Sequence, residues 1–145
     1  MTDIDKAKNL LLSNNFTCVL CKDDNVHSSA QRGVSPMVEF INSGLDLNGF
    51  SAADKIVGKA LAMLFAMSKV KEVYAVIMSE RAIEIFEKYN IQYSYKTLVK
   101  AIINREGTGP CPMEATVKDI DDLSEAFSAI KNKLDFLRSK SQGNA

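Results

Sequence analysis

The sequence predicts an α/β domain, on three observations. Glu72-Val73-Tyr74-Ala75-Val76-Ile77-Met78 is near-continuous apolar sequence of strand length, the signature of a strand covered on both faces. Ahead of it, Ala60 to Met67 is apolar on every side, as a helix buried all round must be. Behind it, Arg81 to Tyr89 is amphipathic, with Ala82, Ile83, Ile85, Phe86 and Tyr89 on one face. With 145 residues and 46% hydrophobic content, the chain suits one compact domain burying roughly 70% of the surface its unfolded form would expose.

Thr2 is placed to cap a first helix, Asp3 to Ser13, whose Ile4, Ala7, Leu10 and Leu11 recur at helical spacing and which Asn14-Asn15 ends. Phe16 to Cys21 reads as a strand with apolar residues on both faces. Asp23-Asp24-Asn25 is turn chemistry, and Val26 to Ala30 is a second, more polar strand, so the pair forms a hairpin with its polar member at the sheet edge. Ser35-Pro36 joins a cap to a proline at the first helical position and starts a short helix through Asn42, stopped at Gly44. Leu45 to Phe50 is a loop. Ser51-Ala52-Ala53-Asp54 then has the form of a helix start, so the buried helix is expected to begin there, with Asp54, Lys55 and Lys59 in its first two turns. Ser68-Lys69 breaks it before the buried strand, and Ser79-Glu80 caps the amphipathic helix.

Past Ile91, Gln92 to Tyr95 is expected as a short strand and Leu98 to Ile103 as a short helix. Asn104 to Glu114 holds two of the three prolines and is expected as a loop of defined shape. Asp122 and Glu125 resemble a capping box for a last helix through about Leu137, with Leu123, Ala126, Phe127, Ile130, Leu134 and Leu137 on one face. The expected organisation is a single domain over 1–138 and a frayed tail over 139–145.

Zero formal net charge and the lack of any Lys/Arg block give no electrostatic footprint for nucleic acid or an anionic membrane. The longest apolar run, Ala60 to Met67, falls well short of the roughly 18 residues a spanning helix needs, and no apolar stretch follows Met1. A soluble, cytoplasmic protein is expected. Three cysteines without an export signal agree with a reducing compartment and argue against a disulfide framework.

Helix, β-hairpin, buried helix, buried strand, amphipathic helix, strand is the element order of the cytidine deaminase-like fold. Ala53 to Ala60, Val70 to Ala75, and Ile102-Ile103-Asn104-Arg105 followed by Cys111-Pro112-Met113-Glu114 resemble the sequence blocks of an uncharacterised prokaryotic family, a domain of unknown function assigned to that fold. The resemblance covers nearly the whole chain. It implies a three-layer α/β/α domain with a mixed sheet, the N-terminal hairpin plus later strands. Zinc deaminases of this fold hold the metal with an H-x-E or C-x-E triplet at the start of the buried helix and with P-C-x-x-C at the start of the helix after the next strand; the Glu shuttles protons. Here the first motif aligns with Ala53-Asp54-Lys55 and the second with the turn Met78 to Ala82, and neither supplies a ligand. Zinc-dependent deamination is therefore not expected, and no cofactor is implied. Pro110-Cys111-Pro112-Met113-Glu114 differs from P-C-x-x-C only at its last position, and a carboxylate can bind zinc, but it lies a strand and a helix too late. Cys18 and Cys21, three apart on a strand, face opposite ways and read as core residues, while His27 reads as a surface histidine.

The N-terminus of the buried helix would point at the pocket region of this fold, and its free N–H groups make an anion site. Lys55 opposes the dipole there by a few tenths of a kcal/mol, with Lys59 one turn above on the same face. Either the two lysines complete a pocket for a phosphate or carboxylate, with Lys55 available as a proton donor, or Asp54 closes a capping box and the lysines extend to solvent. Gly58 inside a helix costs about 1 kcal/mol and implies a close approach, placed beside Tyr74. Asn104, Arg105, Cys111 and Glu114 flank the Gly- and Pro-containing loop. Arg105 could clamp an anion, and Cys111 could be a nucleophile if Arg105 or a helix terminus lowered its pKa; equally, Cys111 could be buried and inert, and Glu114 paired with a lysine. Three readings stay open. In the first, the protein binds a small anionic or nucleoside-like ligand through Lys55, Lys59, Asn104, Arg105 and Cys111. In the second, it is a metal-independent enzyme using Asp54 or Glu114 as base with Lys55 and Cys111. In the third, it is a structural homo-oligomer.

Overall fold

The computed structural model describes residues 1–143, and side-chain caps set several of its helix starts. Thr2 Oγ1 accepts from the Asp5 N–H at 3.2 Å to begin α1 (Asp3–Ser13), Ser79 Oγ from the Ala82 N–H at 3.1 Å to begin α4 (Glu80–Lys88), and Asp122 Oδ1 from the Glu125 N–H at 2.8 Å to begin α6 (Leu123–Gly143). Between these lie β1 (Cys18–Lys22), β2 (Asn25–Ser29), α2 (Ser35–Asn42), β3 (Ser51–Val57), α3 (Lys59–Met67), β4 (Glu72–Ser79), β5 (Gln92–Val99) and α5 (Pro112–Val117).

The strands form one mixed sheet in the order β2-β1-β3-β4-β5. β1 runs antiparallel to both β2 and β3, and β3, β4 and β5 run parallel. Among the described residues helix α1 alone covers one face, where Ala7 and Leu11 meet Val19, Cys21, Ala53 and Tyr74 and the Lys8 ammonium sits 4.4 Å from the Tyr74 ring centre. The remaining helices build the larger core on the other face, around Met37, Leu64, Phe65, Phe86, Val117 and Ile130. This is the three-layer α/β/α arrangement with a mixed sheet that the resemblance implies. Cys18 and Cys21 belong to the two opposite cores, as their spacing requires.

Several expectations need correction. Ser51 to Val57 is the central strand, not the first turns of the buried helix: it hydrogen-bonds to β1 on one side and β4 on the other, and α3 begins only after Gly58. Helix α2 has Val34 at its cap, and the Ser35 hydroxyl instead accepts from Arg138 Nη2 at 3.2 Å. The strand after α4 continues to Val99 because β4 offers a parallel partner along its length, so Leu98 to Ile103 is no helix; the helix lies later, at α5, which begins within the last residues of the segment expected as loop. His27 is half-buried, its ring 5.9 Å from that of Phe40 and 5.6 Å from that of Phe50. The last helix continues to Gly143, so 139–143 of the expected tail are helical, and 144–145 lie outside the described residues. No helix among the described residues is long and apolar enough to cross a membrane.

Candidate functional site

The carboxyl ends of the parallel strands deliver the chain into α3 and α4, the place where open α/β sheets gather ligands. A helix N-terminus leaves its first N–H groups without intrahelical partners. At α3 they are taken by a residue from far along the chain: Glu114 Oε1 accepts from the Lys59 N–H at 2.7 Å and Oε2 from the Ala60 N–H at 2.8 Å. Both oxygens of one carboxylate thus sit on the positive end of the helix dipole, an arrangement favoured by charge as well as by hydrogen bonding.

Gly58 makes room for it. A Cβ there would lie 2.6 Å from Glu114 Cδ, closer still to Oε1, and 2.9 Å from Ile102 Cγ1. The close approach foreseen for Gly58 is therefore to the Glu114 carboxylate and Ile102, not to Tyr74. Helix α5 aims the carboxylate. Pro112 fits its first position, the Cys111 N–H donates to the Ile102 carbonyl at 3.1 Å, and Met113 and Val117 are buried in the larger core. A second staple joins the same elements, since the buried Lys59 donates from Nζ to the Lys118 carbonyl at 3.1 Å.

Of the residues singled out from sequence, Lys59 and Glu114 meet here through α3 and α5, and Cys111 caps α5. The others do not join them as expected. Asp54 and Lys55 lie on β3 rather than on the helix, so Lys55 is not stacked under Lys59; it is exposed, and its N–H donates to the Thr17 carbonyl at 3.1 Å. Asn104 is spent inside its own loop: Oδ1 accepts from the Thr108 N–H at 3.0 Å and Nδ2 donates to Thr108 Oγ1 at 3.1 Å. Arg105 is exposed and forms no ion pair among the described residues. Cys111 is half-buried at the α5 cap.

Asp54 is 4% exposed, opposite Cys18 in the β1–β3 register. Burial pushes its carboxyl up to about 8, against the lowering effect of donors from Ile56, Cys18 and Lys55. It holds a proton at neutral pH, and a sealed, protonated acid cannot serve as the base imagined for it. Burial, then the Asp54 carboxyl, pushes the Cys18 thiol well above its ordinary value. Ser79 is fully buried and occupied as the α4 cap.

The donors at this end do not fit zinc. The helix that would carry the first metal ligand starts Gly58-Lys59-Ala60, which corrects the alignment at Ala53 to Lys55 without restoring a ligand, and α4 starts Ser79-Glu80-Arg81. Glu114 is engaged by two N–H groups, and no three His, Cys, Asp or Glu side chains converge on one point among the described residues. Sequence reasoning missed the Glu114 contact and the Lys118 carbonyl. The available signals were Gly58 as a helix boundary and Cys111-Pro112 as a helix start.

The family described as TM1506, a domain of unknown function (DUF1893), matches residues 6–134. No curated protein matches the chain. Among solved structures it is similar in fold to the DUF1893 family protein TM1506 of Thermotoga maritima, with a TM-score of 0.82 and 23% identity over 92% of this chain and 91% of that one. Fainter likenesses are to a dCMP deaminase of cyanophage S-TIM5 (TM-score 0.45, 11% identity, 66% of this chain and 93% of that one) and to a Thermotoga maritima diaminohydroxyphosphoribosylaminopyrimidine deaminase/5-amino-6-(5-phosphoribosylamino)uracil reductase (0.42, 16%, 70% and 34%). With its match running through nearly all the described elements, the chain belongs to the DUF1893 family.

Proposed function

We propose that this protein binds a small anionic or nucleoside-like ligand at the N-terminus of α3, and that Glu114 keeps the seat closed until a ligand carboxylate or phosphate replaces it. The supporting observation is the grip of the Lys59 and Ala60 N–H groups on both oxygens of one carboxylate, against a glycine that leaves it space. An anion of that shape is what these two donors suit. Charge-assisted hydrogen bonds contribute about 1.5–3 kcal/mol each, so two of them keep the open form to about one molecule in a hundred or fewer, and a competing ligand loses apparent affinity by that factor. Glu114→Ala is expected to bind inorganic phosphate about 100-fold more tightly than wild type in calorimetric titration. Cytidine, tested beside phosphate, distinguishes a nucleoside site from a bare anion seat. If Glu114→Ala folds and takes up neither probe, Glu114 is a structural cap and the reading fails.

The open edge at β5 favours a second reading, a homo-oligomer. Gln92 to Val99 carries no proline and one charged residue, Lys96, and Tyr95 and Leu98 stand exposed on it. Such an edge is a template for another strand. A concentration-independent monomer in sedimentation would exclude this reading.

A further inference from the structure

A second concavity lies at the opposite end of the parallel strands, where α3 and α4 turn into β4 and β5 beside the start of α6. It is a half-open concavity of about 600 Å³. Its floor includes the buried Val70 and Ile91, and its rim carries Lys69, Lys71, Tyr89 and Leu123.

Lys69 and Asn90 hold equivalent places, each following a helix end and each with a left-handed backbone, φ 59° and 56°. Asparagine tolerates that conformation; lysine costs about 1 kcal/mol there. The rim is rigid. The Gly49 N–H donates to the Lys69 carbonyl at 2.9 Å, the Lys71 N–H to the Phe50 carbonyl at 2.8 Å, and the Gln92 N–H to the Lys71 carbonyl at 3.3 Å. Both lysines are exposed and form no ion pair among the described residues; Glu72, Asp122 and Glu125, the acids adjoining lining residues in sequence, pair with neither. Two lysines without an ion-pair partner among the described residues therefore line a cleft that also takes in buried apolar residues and Tyr89.

We propose that this cleft binds a small organic anion, with Lys69 and Lys71 taking its carboxylate or phosphate and Tyr89, Ile91 and Leu123 covering its apolar body. The site is separate from the α3 seat and does not depend on it. Amide chemical shifts of the wild-type protein titrated with phenyl phosphate, and in parallel with benzoate, test it and distinguish the two sources of charge. Saturable shifts are expected at Lys69 to Lys71, Asn90 to Gln92 and Leu123-Ser124 with at least one of the probes. Lys69→Asn with Lys71→Gln, which removes both charges and suits the left-handed position, is expected to weaken binding by about tenfold or more. Non-saturating shifts, shifts centred on Lys59 and Ala60, or unchanged affinity in the double variant would each overturn the proposal.

Discussion

Replacing Asp54 by asparagine removes an ionisable group from the core while keeping its shape and an acceptor for the Ile56 N–H. Folding raises this carboxyl from 3.8 to about 8, because burial strips a carboxylate of water and only N–H and thiol donors replace it. Between those values the native state holds a proton that the unfolded state has released. The stability contributed by Asp54 is therefore complete below the unfolded value, falls by about 1.4 kcal/mol per pH unit as pH rises, and is gone above the folded value. Across the whole interval the loss is roughly 6 kcal/mol, comparable to the total stability of many small domains. Urea unfolding followed by circular dichroism measures it directly. Asp54→Asn should gain roughly 4 kcal/mol on wild type between about pH 5 and about pH 8. Parallel stability profiles for the two proteins would refute the assignment of a buried, proton-holding Asp54.

Glu114→Gln keeps one neutral acceptor but sets an NH2 against the other backbone N–H, losing that hydrogen bond, and is expected to destabilise the fold by about 2 kcal/mol or more, read from thermal or urea unfolding. Gly58→Ala drives a Cβ into that carboxylate and should cost about 2–3 kcal/mol; in a Glu114→Ala background the cost should fall by at least about 1 kcal/mol, leaving the Ile102 contact, and additive effects would separate the two residues. A thiol reagent should modify Cys111 quickly in the native protein, and Cys18 and Cys21 only on unfolding, since both are fully buried. Rapid modification of all three would contradict the packing of β1. Arg138→Ala, which breaks a half-exposed ion pair to Glu39 at 3.6 Å and a bond to Ser35, should cost no more than about 1 kcal/mol, diminishing with salt.

Local chemistry made much of the fold legible. Thr2, Ser79 and Asp122 cap helices as their sequence patterns indicate, and the apolar run at β4 is buried between layers. Ser51 to Asp54 misled because a Ser-x-x-Asp pattern is shared by a capped helix and by a central strand whose small residues are buried on both faces. Lys55 and Ile56 are exposed side by side between buried Asp54 and buried Val57, a pattern with neither strand nor helix period, so only Gly58 marked the boundary. Helix α5 was hidden in a segment whose glycines and prolines announce a turn, although Pro112 stands at a helix start. The candidate site was legible as residues and not as an arrangement. Glu114 and Lys59 were both singled out, but the contact spans 55 positions, and nothing local to either residue specifies the other. Lys55 and Asp54 were drawn into the site only by the misplaced helix start.

Amide hydrogen exchange at Lys59 and Ala60 tests most directly whether the α3 N-terminus is an anion seat held by Glu114. First-turn amides ordinarily lack partners and exchange quickly. Both should be protected in the wild-type protein, exposed in Glu114→Ala, and protected again when phosphate is added to that variant. Rapid exchange in the wild type, or protection that survives Glu114→Ala without phosphate, would contradict the account.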